Sequence, residues 1–368
     1  MSSFFTRELL NAAIVGLTPL GMGYMLSFYN NNNYLFFITG AIGPCIPLLL
    51  FKFGLSRRIV TSIIDICAII FWIVSIWFSV HWVSIVISLL QGFMLGASSV
   101  LGPLLLFEVS PAEYTSIYGI FNQIFLVLGA VISFLIKHKI TALCIVAAVC
   151  HALQLALIWT IIPETAFCQQ KSNEENNEQQ EEVEKESIFQ AKYIKPIIVL
   201  IVIMLIHVFT FMSPINYGDY YAIAQIVTCC VFGFIIKIKK VSLRIMWLIS
   251  GIGCSVSLIC IFIIPNQSII IIIIIVGQLC FGLALGPIPW YLSPELFPLS
   301  VRQLAYAING IAYSIFGLII ILMSRSRLVL LILGIIITIA GTIFGFFYFK
   351  EREEGNAKAN DNDEADNN

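Results

Sequence analysis

Residues 286–302 read Gly286-Pro287-Ile288-Pro289-Trp290-Tyr291-Leu292-Ser293-Pro294-Glu295-Leu296-Phe297-Pro298-Leu299-Ser300-Val301-Arg302. They follow an unbroken apolar run from Ile269 to Val276. A helix of bilayer length therefore ends in a Gly-Pro break, an aromatic residue, a Glu and an Arg. Irregular backbone at membrane depth is stable only where it is packed in protein or lines a cavity. Discontinuous helices of this kind build the solute sites of membrane carriers.

The rest of the chain supplies the membrane. Of 368 residues, 59% are hydrophobic and 11% charged, with a mean hydropathy of +0.96; soluble domains carry about 25% charged residues. The net charge of −1 argues against a nucleic-acid partner. A span needs about 20 apolar residues. Twelve are expected near 9–28, 34–53, 60–80, 83–106, 116–136, 140–162, 196–216, 219–236, 245–264, 268–291, 303–323 and 328–349. The fold class is thus all-α integral membrane, with the bilayer as its one structural partner. The first apolar run reads as a retained span. The ten cysteines are scattered and lack pairing or metal spacing. No cofactor or metal is expected. No nucleophile–base set or phosphate loop appears, so an enzyme is not expected either.

Two polar stretches divide the chain. Residues 1–163 hold six spans, 164–195 form a linker rich in Glu, Gln and Asn, 196–349 hold six more, and 350–368 form a tail. The polar part of the linker and the tail lack apolar periodicity and are expected to be disordered. With both termini in the cytoplasm, 16 of the 20 Lys and Arg lie inside and Lys137, Lys139, Arg325 and Arg327 outside. The positive-inside rule selects that orientation. The sequon Asn266-Gln267-Ser268 then faces outward, too close to the membrane for use.

The two halves repeat. Lys52, Arg57, Glu108 and Pro111 match Lys239, Arg244, Glu295 and Pro298 at one constant offset of 187 residues. Two parallel six-span halves with a solute between them form the major facilitator architecture. Lys52, Arg57, Glu108, Glu164, Lys239, Arg244, Glu295 and Arg302 are candidates for a charge network that closes the cytoplasmic face. They are expected to pair when that face is shut and to separate when it opens. Anchoring of helix ends at lipid headgroups is the simpler alternative.

With these residues in view, the chain resembles the sugar porter family of the major facilitator superfamily, the facilitative hexose transporters. Gly286-Pro287-Ile288-Pro289-Trp290, followed by Glu295-Leu296-Phe297-Pro298 and Arg302, carries the resemblance. It is supported by Gly102–Pro111 with Gln123 and Gly129, by Pro163-Glu164-Thr165, by Ser213-Pro214-Ile215-Asn216, and by Phe51-Lys52-Phe53-Gly54 with Arg57-Arg58. The departures are Thr115 for the family's Arg, Thr210-Phe211 for its paired Gln, Gly282 for an acidic residue, and Tyr313 and Gly317 for an Asn pair.

The resemblance implies sugar contacts at Gln123, Asn216 and Trp290. Amides both donate to and accept from hydroxyls. Gln278, Gly282, Gly286 and Trp290 are spaced by four and share a helix face. His207 and Thr210 share a face of the seventh span, and Tyr313 sits in the eleventh. These seven residues, Gln123, Asn216, Trp290, Gln278, His207, Thr210 and Tyr313, form the candidate solute site. The plain alternatives are interhelical hydrogen bonds for Gln123 and Gln278, an interfacial anchor for Trp290 and packing for His207.

The resemblance also implies that proton-driven members carry an acid in the first span, where this chain has Met25. Asp65, in the inner half of the third span, is expected to pair with a neighbouring base. No other carboxylate is expected at mid-membrane, where a proton relay needs one. Facilitated diffusion is therefore expected, with His207 the one central titratable group. The leading expectation is a monomeric hexose carrier of the plasma membrane. A polyol carrier, a proton-coupled sugar symporter and a non-transporting sugar sensor are the alternatives. The short polar tail speaks against the sensor.

Overall fold

The computed structural model describes residues 2–28, 34–76, 81–111, 115–136, 139–162, 188, 190–212, 221–238, 242–323 and 326–366. Every regular element among them is a helix. Among the described residues, eleven helical stretches are long and apolar enough to cross a bilayer, and Ile223–Ile236 is a shorter twelfth. In order they are Arg7–Leu26, Tyr34–Lys52, Arg57–Ser75, Ile85–Glu108, Ile117–Ile136, Ile140–Thr160, Ala191–Phe211, Ile223–Ile236, Leu243–Ile263, Gln267–Ser293, Ser300–Met323 and Leu328–Glu353. They are called the first to twelfth spans below. Their outward faces carry large apolar side chains, such as Leu135 at 65% and Phe234 at 72% exposure. In water such a surface is unstable; against acyl chains it is the expected one.

Local sequence sets the ends and breaks. Ser56 caps the third span, its hydroxyl accepting from the Ile59 amide. Asn266 caps the tenth span in the same way, accepting from the amides of Ser268 and Ile269. The sequon asparagine therefore has a structural use. The second span closes on Gly54 at φ +79°, a left-handed position that favours glycine. The tenth span breaks where the sequence says: one helix ends at Leu283 and the next runs Ile288–Leu296.

Helices approach closely where side chains are small. A methyl at Gly92 would lie 2.1 Å from the Phe36 carbonyl oxygen, and one at Gly96 would lie 2.4 Å from that of Gly40. These contacts seat the second span on the fourth, as small residues do between membrane helices. The halves meet along several seams. Gly310 of the eleventh span lies against Ser99 of the fourth, Gly317 against Phe37 of the second, and Gly119 of the fifth against Tyr291 of the tenth.

The tail departs from expectation. The last helix continues from Arg327 through Asp366. A helix already nucleated by a span propagates cheaply into residues of good helix propensity; Lys350-Glu351-Arg352-Glu353 is such a run. Most of the linker, residues 163–187, lies outside the described residues.

Candidate functional site

The Gly-Pro break lowers the start of the Ile288–Leu296 helix into the space between the halves. There Trp290, fully buried, donates its indole N–H to Oε1 of Gln123 at 2.7 Å. Gln123 is 1% exposed and lies in the fifth span. A residue of each half thus meets at one hydrogen bond.

His207 stands beside this pair. Its Nδ1 donates to the carbonyl of Leu285, in the break itself, at 3.0 Å. Its ring lies 6.2 Å from that of Trp290 and edge-on to it, 6.4 Å from Tyr313, 5.2 Å from Phe281 and 6.4 Å from Phe211, stacked. The result is a ring of aromatic faces around one imidazole. Phe281 and Phe211 were not expected here. In the sequence Phe211 reads only as a replacement for an amide. An aromatic in an apolar span gives no signal of which way it faces.

Thr210 and Gln278 lie one layer away. The Thr210 hydroxyl bonds that of Thr338 in the twelfth span at 2.8 Å. Gln278 is 3% exposed, and its Oε1 has no protein partner. Both line a cavity of about 20 Å³ with Phe281, Cys254 and Ser257. Phe281 borders both layers. Gln123, Trp290, His207 and Tyr313 therefore come together directly, and Thr210 and Gln278 adjoin them through Phe281. Asn216 lies outside the described residues.

A further amide is missing from the expected set. Gln225 of the eighth span is fully buried, with neither amide atom partnered. A methyl at Gly282 would lie 2.6 Å from its backbone oxygen, and one at Gly286 would lie 3.2 Å from its Nε2. The two glycines that open the tenth span's face thus admit Gln225. A lone amide inside an apolar span was the available signal. Buried polar groups are ordinarily bonded, so amides without partners beside aromatic faces form a surface suited to hydroxyl groups.

The charges collect at one end of the bundle. Arg57 pairs with Glu108 at 2.8 Å. At the positions repeated in the second half, Arg244 approaches Glu353 at 3.8 Å and Glu295 bonds Arg352. Two residues of the last helix take the partners that the repeat would match to each other. The reason is the helical continuation of that span, which carries Arg352 and Glu353 to this end. These three pairs each lie within one half. Across the face, Arg302 of the second half stacks on the ring of Phe107 of the first, 3.9 Å from its centre. Lys52 is exposed. Glu164 and Lys239 lie outside the described residues.

Asp65 finds its base. Its Oδ1 lies 2.9 Å from Nδ1 of His151, and both side chains are 2% exposed. It is the ninth of the nineteen residues Arg57–Ser75, so a carboxylate does stand at mid-span. Among the described residues, no group of three or more His, Cys, Asp or Glu is placed to hold a metal ion.

The family model of the Major Facilitator Superfamily matches residues 2–321. Among solved structures, the proton:xylose symporter XylE bound to 6-bromo-6-deoxy-D-glucose aligns with a TM-score of 0.75 at 13% identity, covering 94% of this chain and 96% of that one. XylE from E. coli in a partially occluded inward-open conformation aligns at 0.68 and 15% identity, covering 92% and 97%. Its inward-open conformation aligns at 0.65 and 15% identity, covering 91% and 95%. At such identities the likeness is one of fold. No curated protein sequence matches this chain.

Proposed function

The chain belongs to the major facilitator superfamily, and from that premise we propose that it carries a monosaccharide of the hexose class across a membrane by alternating access. The observation that carries this reading is the hydrogen bond between Trp290 and Gln123. It joins an aromatic face and an amide across the two halves, at the broken tenth span. A sugar needs both: amides for its hydroxyls and a ring face for its C–H surface. The solute takes over the hydrogen-bonding groups that now satisfy each other, so the halves part at modest cost. The solute named with one of the XylE structures, a substituted glucose, supports the same class.

In this reading the two halves rock about the site, both termini face the cytoplasm and the membrane is the plasma membrane. Arg302 on Phe107 holds the cytoplasmic face shut, and the charge pairs within each half position the helix ends that meet there. The protein works as a monomer and is not an enzyme. Met25 favours facilitated diffusion, and Asp65, ninth of nineteen residues in its helix, favours proton coupling.

A polyol is the second reading. The replacement of the family's paired Gln by Thr210-Phe211 leaves fewer fixed contacts for a sugar and permits a polyol. Counterflow of labelled D-glucose, D-xylose and sorbitol in proteoliposomes separates the two. Exchange of the sugars but not of sorbitol is expected; sorbitol alone reverses the order, and no exchange of any of the three contradicts the carrier reading.

A further inference from the structure

The solute site makes no use of the Asp65–His151 pair, yet the pair is the most deeply placed acid and base in the first half. Asp65 is the ninth of nineteen residues in its helix and His151 the twelfth of twenty-one in Ile140–Thr160. Oδ2 of Asp65 and Nε2 of His151 are both buried and have no protein partner. A carboxylate at this depth fixes the tautomer of its neighbour: Nδ1–H donates to it and Nε2 is bare. In that form the pair carries one negative charge in a medium that disfavours charge. One proton added to Nε2 gives an imidazolium beside a carboxylate, with no net charge. The pair thus has an atom that can take a proton and a reason to hold it.

The bare edge of the imidazole faces a second element. A methyl at Gly21 would lie 2.6 Å from both Nε2 and Cε1 of His151. The ring therefore bears directly on the backbone of the first span. That span is in backbone contact with the fifth on either side of Gly21. A methyl at Gly129 would lie 2.0 Å from the Leu20 oxygen, and one at Gly23 would lie 1.9 Å from the Leu126 oxygen. The fifth span carries Gln123. A continuous packed route runs from His151 through the first span to the Gln123–Trp290 bond. Toward the charged end of the bundle, Gln154 donates to the Thr18 hydroxyl at 2.6 Å. This adds polar atoms one turn from His151 on the same seam.

The other titratable groups on the helices packed around the pair are accounted for. Tyr24 of the first span lies edge-on to Trp72, Cys67 of the third is exposed, and Cys144 and Cys150 flank His151 on the sixth. Toward the charged end, Arg57 is taken by Glu108, and Arg58 bonds the Ile162 carbonyl and stacks on Trp159. Arg7, Glu8, Lys52 and Tyr118 lie near the same end, on the first, second and fifth spans. Cys45 of the second span is exposed.

We propose that Asp65 and His151 form a proton-binding site that takes up one proton from water in each cycle, onto Nε2 of His151, releases it to the other side, and thereby drives the solute through the Gln123–Trp290 site. The coupling rests on the carrier reading above; the proton site itself does not.

Two measurements on the full chain keep these apart. The first uses proteoliposomes with labelled D-glucose or D-xylose, comparing counterflow at equal pH with accumulation under an acid-outside gradient. One-to-one coupling gives about tenfold accumulation per pH unit. The wild type is expected to accumulate. Asp65→Asn and His151→Gln are expected to keep counterflow and lose accumulation. The second is nitrogen NMR of histidine-labelled protein without solute, with the His151 signal identified by its loss in His151→Gln. It is expected to report a proton on Nε2 that comes and goes with the pH of the medium, and to respond to Asp65→Asn, which removes the carboxylate beside the ring. Wild type that exchanges sugar but accumulates none under the gradient overturns the coupling, as do variants that accumulate as the wild type does. A His151 signal that does not titrate, or that ignores Asp65→Asn, overturns the site. If no sugar exchanges at all, the carrier reading fails, and the NMR result alone decides for or against the proton site.

Discussion

The indole N–H of Trp290 and Oε1 of Gln123 lie 2.7 Å apart across the two halves of the molecule. Because both side chains are buried, removal of either partner leaves a polar atom stranded. Trp290→Phe and Gln123→Leu are each expected to lower stability in detergent, by about 1–3 kcal/mol. The double variant should cost less than the sum of the two, since both polar groups are then gone. Thermal unfolding of the four proteins checks this. Additive losses would mean that the bond contributes nothing.

The contact between the first and fifth spans is made of backbone. Gly23→Ala places a methyl 1.9 Å from the Leu126 oxygen, where no flexible side chain can yield. The helices must move apart, with a loss of about 1–3 kcal/mol. Gly233→Ala is the control, because its methyl meets nothing nearer than Ile120 Cδ1 at 3.7 Å. Thermal unfolding should separate the two; equal midpoints would contradict the close seam.

Arg352 and Glu353 occupy the charged end of the second half by pairing with Glu295 and Arg244. Partly exposed pairs contribute about 0.2–1 kcal/mol each, enough to bias two conformations but too little to unfold either. Arg352→Ala and Glu353→Ala together should therefore leave the melting temperature nearly unchanged. They should raise the accessibility, to a membrane-impermeant thiol reagent on the cytoplasmic side, of a cysteine placed at Gly119. Unchanged labelling would show that these pairs do not hold the face shut.

Gln225 has two unpartnered amide atoms between Gly282 and Gly286. As a purely structural residue it is a liability, and Gln225→Leu should stabilise the fold or leave it unchanged. As a solute contact it is needed, and the same change should lower sugar uptake about tenfold or more. The expected result is both at once: a stable protein with weak uptake. Intact uptake would remove Gln225 from the site.

The number of spans, the break in the tenth and the repeat of Arg57 and Glu108 at Arg244 and Glu295 were legible in the chain. Each is a local signal of hydropathy, of Gly and Pro, or of spacing. What was not legible lies between helices. Asp65 meets His151 across 86 residues and Thr210 meets Thr338 across 128; both meetings depend on helix rotation, which a uniformly apolar span does not record. The same holds for Phe281 and Gln225, whose directions follow from the glycines opposite them. The last helix was misread for another reason. Lys350–Glu353 is polar enough to suggest disorder, yet it is joined to a span that supplies its nucleus and to Glu295 and Arg244, which fix its charges.

The most direct measurement is saturable uptake of labelled D-glucose and D-xylose into proteoliposomes by the wild type, Gln123→Ala and Trp290→Ala side by side, with reconstituted amounts matched. The account expects uptake of D-glucose by the wild type, with or without D-xylose, and a loss of about tenfold or more in both variants. Equal uptake by all three, or no uptake of D-glucose by the wild type, would contradict it.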